Sequence, residues 1–77
     1  MSEPHYHINL FWSDEDVLWI ADVPDLRGCV THGATRAEAL SNAAEAIEGW
    51  LQTVRETGLP IPEPRYRPAI YAARDAA

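Results

Sequence analysis

A single long amphipathic helix can be read in this chain, and it dictates what the other segments must provide. Leu40, Ala43, Ala44, Ile47, Trp50, Leu51 and Val54 recur at three- and four-residue intervals, which is one apolar stripe at the helical period. Both ends carry signals. Thr35-Arg36-Ala37-Glu38 has the spacing of a capping box, with the Thr35 hydroxyl accepting from the Glu38 amide and the Glu38 side chain reaching back to the Thr35 amide. Gly58 suits the left-handed residue that ends a helix, Arg55 suits the last-turn dipole, and Pro60 prevents continuation. The spacing predicts a helix over 36–57. Gly49 within it costs about 1 kcal/mol relative to alanine, so it should mark close packing against a sheet.

The preceding residues supply that sheet. Tyr6, Ile8, Leu10 and Trp12 alternate with His5, His7, Asn9 and Phe11, the period-two pattern of a strand with one buried face. Ser13-Asp14-Glu15-Asp16 is turn material, and Val17 to Ala21 reads as a second strand. With Trp12 opposite Val17, Leu10 meets Trp19 and Ile8 meets Ala21. On the other face Phe11 meets Leu18, Asn9 meets Ile20 and His7 meets Asp22. Val23 to Gly28 is a loop broken by Pro24, and Cys29 to Gly33 is a short third strand. Pro60, Pro62, Pro64 and Pro68 stiffen the segment after the helix, Ala69 to Ala72 forms a short last strand, and 73–77 fray.

The expected fold is therefore α+β with the order β-β-β-α-β, one domain over 1–77 with a core of about 5–72. A helical crossover returns the last strand beside the first, giving a sheet order 3-2-1-4. The helix covers the face carrying Tyr6, Ile8, Leu10, Trp19 and Ala21. Phe11, Leu18 and Ile20 are left on the uncovered face, which marks them as a partner or oligomer interface.

At 77 residues, roughly 60% of the unfolded chain's surface can be buried, and association is a common remedy for so thin a core. Net charge is −6, from twelve acids against six arginines and no lysine. The only basic clusters are Arg65 with Arg67 and the isolated Arg27, so direct nucleic-acid binding is not expected. A basic protein partner suits this surface better. One cysteine allows no internal disulfide. Met1 to His5 show neither the basic nor the apolar region of a signal peptide, and no apolar run is long enough to span a membrane, so a cytoplasmic location is expected.

No catalytic constellation emerges. Asp14, Glu15 and Asp16 are consecutive turn carboxylates. Asp22 and Asp25 flank Pro24, where Asp25 caps the turn and Asp22 faces His7 across the hairpin. His5 and His7 share a strand face and could approach zinc with Cys29 or His32, but no second ligand pair has recognisable spacing. Cys29 reads as a small buried hydrophobe. Trp12 and Trp50 read as core residues, and Gly28 and Gly33 match neither phosphate-loop spacing. No metal or cofactor is called for. A small-ligand or metal-binding regulatory domain using His5, His7 and Asp22 is the alternative to a protein binder.

One resemblance goes further. The strand from Tyr6 to Trp12, the acidic turn and the run Ala21-Asp22-Val23-Pro24-Asp25-Leu26-Arg27-Gly28-Cys29 are similar to the HicB-like antitoxin family. The pattern continues through Thr31, Gly33, Thr35, Glu38-Ala39-Leu40, Asn42-Ala43, Glu45-Ala46-Ile47, Trp50-Leu51, Gly58 and Ile61-Pro62-Glu63-Pro64. The resemblance implies a partial ribonuclease-H-like fold without nuclease chemistry. It also implies a type II toxin–antitoxin role, in which a dimer or tetramer neutralises a small basic RNA-cleaving toxin. Many members append a DNA-binding module after this domain; a chain ending at Ala77 is expected to lack one.

Overall fold

The structure, a computed structural model, describes residues 4–67. Three antiparallel strands, β1 (Asn9–Ser13), β2 (Leu18–Asp22) and β3 (Val30–Gly33), lie in the order β1-β2-β3 and are followed by one helix, α1 (Arg36–Thr57). This is an α+β arrangement of two layers. The expected final strand, Ala69 to Ala72, and its place in the order 3-2-1-4 lie outside the described residues.

The hairpin register differs from the expected one by two positions. Leu10 faces Ala21, Phe11 faces Ile20, Trp12 faces Trp19 and Asn9 faces Asp22. Val17 leaves the strand, adopts φ 54° and bonds its amide to the Ser13 carbonyl at 2.8 Å. The Ser13 hydroxyl accepts from the Asp16 amide at 3.2 Å, so the acids serve the turn. A two-residue slip keeps the pleat in phase, so every side chain stays on its expected face.

Two small clusters join the layers. At the start of α1, Ala39 and Ala43 are buried against Ala21, with Ile8, Leu10 and Trp19 packed around them. Further along, Val23, Leu26 and Cys29 are buried against Tyr6, Ile8, Ala46, Ile47 and Trp50. These three belong to a loop closed on itself, with the Val23 amide on the Cys29 carbonyl at 3.0 Å and the Leu26 amide on the Val23 carbonyl at 3.1 Å. The loop thus plugs the space under the second half of the helix.

The helix limits match the expected ones, but its buried stripe is turned. Ala39, Ala43, Leu51 and Val54 are buried, whereas Leu40 and Ala44 are exposed. Small side chains face the sheet because the approach there is close. A Cβ on Gly33 would lie 2.5 Å from the Ala39 nitrogen, while one on Gly49 would meet nothing within 4 Å. Gly33, not Gly49, is the close-packing glycine.

Thr35 caps α1 by accepting from the Glu38 amide at 3.1 Å, but the returning Glu38 carboxylate accepts from the Ala34 amide at 3.4 Å rather than from Thr35. At the other end Gly58, at φ 74°, bonds to the Arg55 carbonyl and Leu59 bonds to the Val54 carbonyl. That pair of bonds is a Schellman motif. Residues 59–67 then run back over the loop. The Tyr6 hydroxyl donates to the Pro62 carbonyl at 2.6 Å. Asp25 accepts from the amides of Arg65 and Tyr66, each at 3.2 Å.

Candidate functional site

Two surfaces stand out. The first is the sheet face away from α1. Phe11, Ile20 and His32 form one row across the three strands, and Asp22 with Val30 forms the next. Leu18 lies two residues along β2 from Ile20, on the same side. The sheet therefore brings Phe11, Leu18 and Ile20 together as expected. Val30, 55% exposed, joins them. Its membership follows from the alternation of β3 once the strand's register is known. Asn9, Ser13, Asp22 and His32 interleave the apolar groups, so this face is mixed rather than greasy.

The second surface is a groove of about 510 Å³ between the Gly28-Cys29-Val30 segment and the second half of α1, where Ala46, Gly49, Trp50, Thr53, Val54, Thr57 and Leu59 complete the wall. Its polar atoms already have partners. The Trp50 indole donates to the Arg27 carbonyl at 3.2 Å, and the hydroxyls of Thr53 and Thr57 donate to the carbonyls of Gly49 and Thr53 at 3.0 Å each. Burial, with the Asp22 charge behind it, pushes the Cys29 thiol above its ordinary range, so it stays protonated at neutral pH. The lining is thus apolar and uncharged. No sequence motif announces it, because its residues come from a loop and three turns of helix.

The residues weighed for chemistry are dispersed. Asp22 stands on the outer sheet face, while Asp25 holds the amides of residues 65 and 66. His7 bonds the Asn9 side chain at 2.7 Å and stacks near Tyr66, with ring centroids 4.6 Å apart. His32 is exposed and Cys29 is buried. Among the described residues no group of three His, Cys, Asp or Glu could hold a metal ion. Trp50 packs on the core, but Trp12 is 43% exposed. Trp12 meets Trp19 edge-on, and the Arg36 guanidinium lies 4.2 Å from the Trp19 ring centroid. Burial, then the Asp25 charge, raises the Tyr6 phenol.

Residues 6–75 match the family described as HicB-like antitoxin of bacterial toxin–antitoxin systems. A curated relative, UPF0150 protein Ta0767 of Thermoplasma acidophilum, is 41% identical over 49 residues, covering 64% of this chain and 71% of the relative. No solved structure matches significantly. No described helix is long and apolar enough to cross a membrane.

Proposed function

Because the chain belongs to the HicB-like antitoxin family of bacterial toxin–antitoxin systems, we propose that it neutralises a small, basic, RNA-cleaving toxin by direct binding. The carrying observation is the family match over residues 6–75. The net charge of −6 supports the same reading, since opposite charge steers and orients a protein partner. The role is binding rather than catalysis. Among the described residues no three His, Cys, Asp or Glu side chains gather as metal ligands, so the metal-regulated alternative gains no support.

Self-association through Phe11, Leu18 and Ile20 belongs to the same proposal, as does a cytoplasmic location. So does a partial ribonuclease-H-like sheet. Tyr66 is held beside His7, just before β1, which is compatible with a further strand pairing along β1. A last strand from Ala69 to Ala72 would there complete the order 3-2-1-4.

The test is co-expression with a candidate small basic toxin. The expected result is a complex that co-purifies and restored growth of cells expressing the toxin. A toxin that stays free and lethal removes the antitoxin role.

A further inference from the structure

We infer that the groove beside β3 is the seat of an apolar anchor residue carried on a basic segment of a partner protein. This rests on the antitoxin reading only for the identity of that partner. The starting point is Gly49. It is exposed, sits in mid-helix, and nothing lies within 4 Å of where its Cβ would be, so packing within the described residues does not require it. It does line the groove, at the rim where the acidic stripe of the helix begins, so a large side chain there would narrow the entrance. Gly28 lies on the opposite wall, but its φ of 77° already accounts for glycine there. The absence of a side chain at position 49 is explained by what it leaves open.

Charge selects the occupant. Glu45, Gly49, Gln52 and Glu56 follow one another at four-, three- and four-residue intervals, so they form one stripe along α1. That stripe borders the one formed by Ala46, Trp50, Thr53 and Thr57, which lines the groove. Both glutamates are exposed. An uncharged apolar seat flanked by carboxylates fits an aliphatic or aromatic anchor with Lys or Arg beside it. A second copy is disfavoured, because it would bring its own acidic stripe against this one.

Random peptides displayed on phage and selected on the full chain test the assignment, with Gly49→Leu as the blocked form. Selected peptides should combine a large apolar residue with flanking Lys or Arg, and should shift the tryptophan emission in a form carrying Trp12→Phe and Trp19→Phe, which leaves Trp50 as the reporter. Gly49→Leu should weaken them by roughly tenfold or more while raising the melting midpoint, since leucine is the better helix former. Loss of binding together with a raised midpoint separates a filled groove from a damaged fold. Glu45→Lys with Glu56→Lys should also weaken them. No enrichment, peptides without basic residues, or equal binding to Gly49→Leu would overturn the inference. A toxin that co-purifies equally with wild type and Gly49→Leu removes the groove and leaves the antitoxin role. Basic peptides seated in the groove with no toxin bound do the reverse.

Discussion

Val17 carries the clearest local strain in the fold. A β-branched residue at φ 54° crowds its own carbonyl, and its side chain, 67% exposed, gains little packing in return. Asparagine tolerates this conformation. Val17→Asn should therefore raise stability by about 1 kcal/mol, read as a higher denaturant midpoint with an unchanged slope. Gly33 is the opposite case. An added methyl there would lie 2.5 Å from the Ala39 nitrogen and 2.9 Å from the Glu38 carbonyl carbon. Both are backbone atoms of the first helical turns and cannot swing aside. Gly33→Ala should cost about 3 kcal/mol in the same measurement. A cost below about 1 kcal/mol would show that α1 can move off the sheet. The two glycines also mark a limit of sequence reading. Close approach is a tertiary fact, so Gly33 and Gly49 look alike in the sequence, and the packing role fell on the other one.

Elements were more legible than their contacts. The limits of α1 are encoded locally, by Thr35, Gly58 and Pro60, and they can be read without knowing what the helix packs on. Thr35→Ala should remove the bond to the Glu38 amide and cost about 1 kcal/mol. The melting midpoint should then fall by about 5 °C, as followed by circular dichroism at the helix minimum. An unchanged midpoint would mean that the Glu38 bond to Ala34 holds the first turn alone. The hairpin register is less local. Val17 has the composition of a strand residue, yet the turn recruits it, and pairing shifts by two. The faces survive because the side-chain period is two, so Phe11, Leu18 and Ile20 share a face despite an incorrect pairing. The groove was not legible at all. It needs the loop from Val23 to Cys29 to fold against α1, and no periodicity reports a loop's position.

Across the whole molecule, the described residues build two layers. The radius of gyration is 14.1 Å, against about 11 Å for a compact domain of this length, and the shortest extent is 20 Å. Two layers fill that thickness, so the outer sheet face has no third layer from the described residues. Phe11, 49% exposed, and Ile20 meet across β1 and β2 at the centre of this face. Asp22 is the acid among them, which leaves less repulsion between two copies here than along the acidic stripe of α1. Ile20→Glu would place a carboxylate in the middle of such a contact, where it must be desolvated against the apolar Phe11 and Leu18 of the same face. The variant should keep its native circular dichroism, since its side chain points away from α1, and light scattering should report a smaller species than wild type. A native mass for the folded variant would move self-association to another surface. Combined with Gly49→Leu, the two substitutions should act independently, one on mass and one on capture of the basic partner, because they lie on opposite layers of the fold.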